Sequence, residues 1–180
     1  HIYNNQSWLL SNLSASDRVL GGFPPGTHRD SILFMQALAG NMDVTSERPV
    51  FKYLHTYGSH PPVRFDERLR YVEMANSREN YLKQAKGNLQ LVKAFLDSLK
   101  RVGVYDNTLL FVIADHGLGY PISFGNSGGG PEGNSVSSNL KGKALPLFLV
   151  KPFHSSGGLK ISNAPVSLAD ITKTTLSELH

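Results

Sequence analysis

The sequence contains no cysteine, and this absence limits the chemistry that the chain can perform. Disulfide bonds, thiolate metal sites and a cysteine nucleophile within this chain are therefore excluded. A serine nucleophile elbow is unsupported, because the GxSxG match at residues 125–129 lies in a Gly-rich segment without strand or helix patterns. No signal peptide is visible, and no apolar run approaches the ~18 residues that a membrane-spanning helix requires. No side chain stands out as a nucleophile.

Neither the basic nor the acidic residues form a cluster in the sequence. The 18 Lys and Arg residues exceed the 14 Asp and Glu residues and give a net charge of +4. Because the basic residues are scattered, nucleic acid is not expected as a partner, and the charge indicates only a slight preference for anionic ligands. The length of 180 residues fits one domain with a buried core, which we predict for residues 1–180.

The first residues do not resemble the natural start of a protein. HIYNNQSWLL has no initiator Met and does not look like a targeting segment, so we expect the chain to be a fragment of a longer protein. Residues 1–48 are interpreted as a helical lead-in, in which Asp30 caps a helix that stops at Gly40. Residues 49–180 form the rest of the domain.

Strand and helix patterns alternate after residue 49. PVFKYL, residues 49–54, is typical of a short strand. TLLFVIA, residues 108–114, and ALPLFLVK, residues 144–151, are continuously apolar, as strands of a parallel sheet buried on both faces are. Between the first two of these strands, a long helix carries an apolar stripe with spacings of three and four, formed by Leu82, Ala85, Leu89, Val92, Leu96 and Leu99.

The end of the sequence predicts one more helix. It spans roughly residues 168–179 and follows a capping-box-like pair, Ser167 and Asp170. The order of strands and helices predicts an α/β fold with a mostly parallel sheet flanked by helices.

IADHGLGY, residues 113–120, places an acid and a histidine directly after the most apolar strand. In open α/β sheets, ligands bind beyond the carboxyl ends of the strands. Carboxylate oxygen and imidazole nitrogen suit zinc or manganese, so Asp115 and His116 are candidate metal ligands. An ordinary strand end, in which Asp115 caps the loop and His116 bonds to the backbone, is the alternative.

HTYGSHPP also leaves a predicted strand and brings two further histidines to the same edge. His55 and His60 could hold an anionic group or a second metal, or donate a proton to a leaving oxygen. The alternative is a pair of surface loop histidines. His28 and His154 lie in turn-like sequence and are expected to be exposed.

The segment between the two apolar strands, residues 117–143, is rich in Gly, Ser and Asn. It lacks the GK[ST] ending of a phosphate-binding loop, and no helix start follows its glycines. We interpret it as a long mobile loop or lid, with a solvated linker as the alternative. Lys141 and Lys143 could reach an anion from its far end.

Taken together, these segments resemble the C-terminal half of a sulfatase-type domain of the alkaline phosphatase superfamily, which includes phosphoethanolamine and phosphoglycerol transferases. VFKYLHTYGSHPP is similar to the family's strand and S-H-x-P loop. The helix, the DNT turn and the strand that ends in ADHG are similar to the family segment that ends in SDHG. ALPLFLVKPF and SNAPVSLADITKTTLSEL are similar to a late strand and to the closing helix. The resemblance covers roughly residues 49–180.

The resemblance implies roles for four residues. Asp115 and His116 would bind a divalent metal, which is zinc, manganese or calcium depending on the subfamily. His60 would contact the phosphate or sulfate group of the substrate, and His55 matches a strand-end histidine of the family. A metal with imidazoles would stabilise oxygen charge during transfer at phosphorus or sulfur.

Two features set the sequence apart from the family. The family's nucleophile and an acidic metal ligand belong to the N-terminal half, so the resemblance implies a fragment that is inactive alone. No histidine follows soon after ADHG, and Asn88 stands where relatives often have Asp. The missing histidine argues against a close phosphoethanolamine transferase, and leaves open a sulfatase-like hydrolase or a degenerate relative.

The resemblance also implies surroundings and partners. A sulfate- or phosphate-ester substrate, linked to a lipid or glycan, would be processed outside the cytoplasm, in the periplasm or cell envelope. Membrane attachment would come from an absent N-terminal region, and an exposed sheet edge would allow homo-oligomers. Two other hypotheses are a non-catalytic relative that binds a lipid or protein, and an unrelated α/β binding module.

Overall fold

A computed structural model describes residues 26–44, 48–120 and 142–179. The chain divides into two compact units, residues 1–105 and residues 106–180. Within the described residues, the first unit is built on two helices and the second on a pair of strands followed by one helix. The predicted Gly-rich lid lies mostly in residues 121–141, outside the described residues.

Helix α1, Thr27–Gly40, and helix α2, Arg78–Arg101, form the frame of the first unit. The predicted stop at Gly40 is confirmed, but Asp30 lies in the first turn of α1 and the N-cap residue is Gly26. The N-cap residue of α2 is Ser77, whose hydroxyl accepts a hydrogen bond from the amide of Asn80 at 3.2 Å. Such a cap satisfies one of the backbone donors that a helix start leaves without a partner.

The core of the first unit lies between the two helices and the chain that joins them. It contains five buried apolar side chains, Ile32, Phe34, Met35, Phe65 and Leu91. The buried face of α2 differs from the predicted stripe: Leu82 is 42% exposed and Leu89 is 46% exposed. The buried residues of α2 are Gln84, Gly87, Leu91, Ser98 and Leu99, of which Leu99 alone belongs to the predicted stripe.

The predicted strand at residues 49–54 is wrong, because these residues form no regular structure. Their apolar side chains are exposed, with Phe51 76% and Val50 61% accessible. A strand requires a hydrogen-bonded neighbour, and no described strand pairs with this segment. Further along, a tight turn is closed by an antiparallel bridge between Phe65 and Tyr71.

In the second unit, strand β1, Leu110–Ile113, pairs with strand β2, Phe148–Lys151. Both strands fall inside the predicted apolar runs. Their pairing is antiparallel, with Phe111 opposite Val150, so parallel pairing is wrong for these two strands. A continuous apolar run indicates burial, but it carries no information about the direction of the neighbouring strand.

Helix α3, Asp170–Leu179, ends the second unit and confirms the predicted closing helix. The carboxylate of Asp170 accepts hydrogen bonds from the amide of Ser167 at 2.7 Å and from its hydroxyl at 3.2 Å. The capping pair is therefore present, although the Ser167 hydroxyl donates to the carboxylate. Among the described helices, none combines the length and apolar character needed to cross a membrane.

Candidate functional site

Strand β1 carries the chain directly to Asp115 and His116. The antiparallel pairing continues past the strand end, because the amide of Ala114 donates to the carbonyl of Leu147 at 3.0 Å. The amide of Gly117 then donates to the carbonyl of Lys143 at 2.8 Å. The Asp-His pair is thus held between two backbone hydrogen bonds to the opposite segment.

The two side chains use one polar atom each to fix their own orientation. Asp115 Oδ1 accepts a hydrogen bond from the backbone amide of His116 at 2.9 Å. His116 Nδ1 donates to the carbonyl of Gly117 at 2.8 Å, which makes Nε2 the ring nitrogen that carries the lone pair in the neutral imidazole. The remaining atoms, Asp115 Oδ2 and His116 Nε2, lie 3.7 Å apart, and their side chains are 88% and 57% exposed.

This donor set fits part of a metal site. Two ligands each ~2.1 Å from a tetrahedral zinc are about 3.4 Å apart, close to the observed separation. Hydrogen bonding of the second ring nitrogen to a carbonyl is the arrangement that usually orients a metal-binding histidine. Among the described residues, no group of three or more His, Asp or Glu side chains could hold a metal.

Glycine is required next to the pair because two backbone segments touch there. A Cβ atom on Gly117 would lie 2.0 Å from the carbonyl oxygen of Gly142, and one on Gly142 would lie 2.6 Å from the carbonyl oxygen of Tyr120. Gly117 and Gly142 therefore allow the two backbone segments to pack closely. Lys143 contributes its carbonyl to this contact, and Lys141 lies outside the described residues.

His60 lies in an irregular loop of the first unit and its side chain is exposed. Its Nδ1 donates to the carbonyl of Pro61 at 2.5 Å, which leaves Nε2 as the second ring nitrogen available for a ligand. The ring of Tyr57 lies 4.8 Å from the ring of His60, between centroids. The imidazole therefore has a defined orientation at an accessible surface.

Helix side chains hold the backbone of this loop. The Nε2 atom of Gln84 donates to the carbonyl of His60 at 3.1 Å, and His28 Nε2 donates to the same carbonyl at 2.7 Å. Sequence reasoning missed both residues. Gln84 lies outside the predicted apolar stripe of α2, so hydropathy gave no signal of its buried polar contacts.

The expectation that His28 is exposed is wrong, because it is only 7% exposed in the first turn of α1. Its ring makes edge contacts with Tyr57, at 4.6 Å, and with Phe65, at 5.8 Å between centroids. Burial lowers the pKa of His28 below its ordinary value, and the nearby His60 and Arg64 act in the same direction. His154 is exposed, as predicted.

His55 is exposed and its ring stacks on Tyr53, with an interplanar angle of 11° and 6.4 Å between centroids. His55 and His60 therefore have different ring neighbours. Asp115 and His116 belong to the second unit, whereas both of these histidines belong to the first. A shared site formed by the four residues stays a prediction.

Comparison with known proteins gives a consistent family assignment. The family model described as Sulfatase matches residues 3–179, which extends the similarity well beyond residues 49–180. Lipoteichoic acid synthases of Staphylococcus aureus strains USA300, NCTC 8325 and COL are each 25% identical to the chain over 161 residues. The match covers 82% of this chain and 23% of each relative. No solved structure gives a significant match.

Proposed function

Because the chain belongs to the sulfatase family, we propose that it is the C-terminal part of a metal-dependent, sulfatase-like hydrolase or transferase. The protein acts on sulfate or phosphate esters. The chain spans 23% of the length of the curated relatives that it matches, so most of such an enzyme is formed by other sequence. The nucleophile and the remaining metal ligands come from that sequence.

The observation that carries this proposal is the geometry of Asp115 and His116. Each side chain has one polar atom fixed by a backbone hydrogen bond and the other exposed to solvent, and the two exposed atoms lie 3.7 Å apart. These residues hold the metal. When bound, a divalent metal supplies positive charge that stabilises oxygen charge at phosphorus or sulfur.

His60 contacts the transferred group. With Nδ1 bonded to the carbonyl of Pro61, the imidazole directs Nε2 to the substrate and donates a hydrogen bond to an oxygen of the phosphate or sulfate. Because Nδ1 already donates to Pro61, the hydrogen bond from Nε2 is made by the imidazolium form of the ring. His55 precedes His60 in the same irregular segment and is the second histidine that approaches the ester.

A phosphate ester is the favoured substrate class, because the family that the sequence resembles includes phosphoglycerol transferases. The relatives are named for the synthesis of lipoteichoic acid. The substrate is linked to a lipid or glycan, and the reaction takes place outside the cytoplasm, in the periplasm or cell envelope, with membrane attachment provided by other sequence. β1 and β2 form one edge of a larger, mostly parallel sheet, and copies of the protein associate through an exposed edge.

The test uses the full-length protein, one double variant and one single-residue control. The first is Asp115→Asn with His116→Gln, which keeps side-chain size and removes metal ligation. The matched control is His154→Asn, because His154 is another exposed histidine of the same unit with a φ of 51°, which asparagine tolerates. The measurements are bound metal by elemental analysis and turnover of an aryl phosphate and an aryl sulfate.

The proposal predicts bound metal and turnover in the wild-type protein and in the control, and the loss of both in the ligand variant. The preferred ester identifies the reaction class. A correctly folded wild-type protein that binds no divalent metal would refute the proposal. It would favour the alternative, a non-catalytic sulfatase-like protein that binds a lipid or a protein partner.

A further inference from the structure

The loop that carries His60, residues 57–65, has no helix or strand of its own. Its backbone is held by polar side chains of the two flanking helices. Ser31 accepts a hydrogen bond from the amide of Tyr57 at 3.0 Å, and Asn88 donates to the hydroxyl of Ser59 at 3.1 Å. These contacts fix the beginning of the loop to α1 and to α2.

Gln84 fixes the rest of the loop, and it is the most buried polar side chain described, with 0% exposure. Its Nε2 donates to the carbonyl of His60 at 3.1 Å. Its Oε1 accepts from the amides of Arg64 at 2.7 Å and Phe65 at 3.4 Å. One carboxamide therefore joins both ends of the Pro61–Pro62 segment, and only a group with donor and acceptor at this reach can do so.

His28 completes the arrangement from the opposite helix. It donates to the carbonyl of His60 at 2.7 Å, so that this carbonyl accepts two hydrogen bonds, one from each helix. A carbonyl oxygen has two lone pairs, and both are used. The position of the His60 backbone is thus determined from two sides, by groups that are themselves buried.

These contacts contribute to stability, because an apolar residue at position 84 would leave the His60 carbonyl and the amides of Arg64 and Phe65 without this partner. What buried polar contacts add is a single, defined backbone conformation. The group that benefits is the one exposed functional side chain at the clamped carbonyl, the imidazole of His60.

We propose that Gln84 and His28 are positioning residues, which clamp the His60 carbonyl between the two helices so that the His60 imidazole is held ready for a substrate oxyanion. This inference rests on the proposed function of His60. Neither residue touches the substrate. Their effect on the reaction passes entirely through His60, and this dependence distinguishes them from residues that only stabilise the fold.

The first measurement is hydrogen exchange of the full-length protein, followed by mass spectrometry. The variant Gln84→Met keeps the length of the side chain and removes its donor and acceptor. Gln90→Met is the matched control, because Gln90 is exposed on the same helix. We expect faster exchange in residues 57–65 for Gln84→Met, unchanged exchange in the C-terminal half of α2, and no effect of Gln90→Met.

The second measurement is a double-mutant cycle on turnover of the ester identified for the full-length protein. Because small displacements of a reacting group have large effects, we expect Gln84→Met to lower kcat/KM by about ten- to a hundredfold. The variant His60→Gln removes the imidazole. In that background Gln84→Met should cause no further loss, since the residue that it positions is absent.

Each outcome decides the matter. An equal loss from Gln84→Met with and without His60 makes the role of Gln84 structural and overturns the inference, as does unchanged exchange in residues 57–65 or unchanged turnover. If His60→Gln has wild-type turnover, the proposed contact of His60 fails and the inference falls with it. If Gln84→Met does not fold, His28→Phe takes its place in both measurements, because it removes one donor and keeps the ring contacts.

Discussion

Gly87 offers a test in which helix propensity and packing predict opposite signs. It lies in the middle of α2, where alanine is intrinsically favoured over glycine by about 1 kcal/mol. Propensity alone therefore predicts that Gly87→Ala stabilises the chain. The structure predicts destabilisation, because α2 approaches the Phe65–Asp66 segment at this glycine.

The size of the effect follows from the contacts of the added methyl group. A Cβ atom on Gly87 would lie 2.7 Å from the carbonyl oxygen of Asp66 and 3.0 Å from the ring of Phe65. Phe65 is 1% exposed and cannot swing into solvent, and the Asp66 carbonyl accepts a hydrogen bond from the amide of Leu69. Overpacking of a rigid core costs up to about 3 kcal/mol. Subtracting the propensity gain leaves a net loss of ~2 kcal/mol.

Urea unfolding of the 180-residue chain, followed by circular dichroism, measures this difference. Gly40→Ala is the matched control, because Gly40 is also helical and a Cβ atom there meets nothing within 4 Å. The control should be as stable as the wild type or slightly more stable. A Gly87→Ala chain that is equally or more stable than the wild type would show that α2 does not pack against residues 65 and 66 as described.

Two further predictions concern the candidate residues. Gly117→Ala, which brings Cβ within 2.0 Å of a backbone oxygen, should break the hydrogen bond between Gly117 and Lys143 and abolish metal retention by the full-length protein, as elemental analysis would reveal. Wild-type metal content in this variant would contradict the described backbone contact. Burial lowers the pKa of His28 in the folded chain, so the unfolded chain binds more protons between that lowered pKa and the ordinary value of 6.5. The free energy of unfolding should therefore decrease as the pH falls below 6.5, and His28→Phe should weaken this dependence. An identical pH dependence in wild type and variant would refute the assignment of a buried, neutral His28.

The sequence predicts where helices and strands occur better than it predicts which segments pair with each other. The apolar runs at residues 108–114 and 144–151 contain the two observed strands, and the capping pair correctly marks the last helix. Strand direction could not be derived, because it depends on which chain segment is adjacent. Residues 49–54 have the composition of a strand but no described partner, and composition alone does not form a sheet.

The face that α2 buries could not be derived from hydropathy. The apolar stripe predicts burial of Leu82 and Leu89, yet the described core contacts are made by Gln84, Gly87 and Leu91. Gln84 is buried because its polar atoms find backbone partners, and Gly87 because its small size allows close approach. Neither property is visible in a pattern of apolar residues.

Asp115 and His116 could be selected from sequence as candidates because their chemistry and their position after a strand are both local properties. The structure adds the orientation of their polar atoms. His60 could also be selected, but the residues that hold it come from positions 28 and 84, far apart in sequence. Such contacts are set by tertiary packing, which a single sequence does not encode in any local spacing.

The two groups of candidate residues are therefore held by different physical means. Asp115 and His116 are oriented by the backbone, through the amide of His116, the carbonyl of Gly117 and the contact between Gly117 and Gly142. That arrangement requires glycine at positions 117 and 142, because a Cβ atom at either position would overlap the facing backbone. His60 depends instead on particular side chains, because its carbonyl accepts hydrogen bonds from a side chain of each helix. Backbone orientation suits metal ligands, whose positions are restricted by short coordination distances. Orientation through buried side chains suits a residue that must remain exposed to meet a substrate and yet keep one conformation.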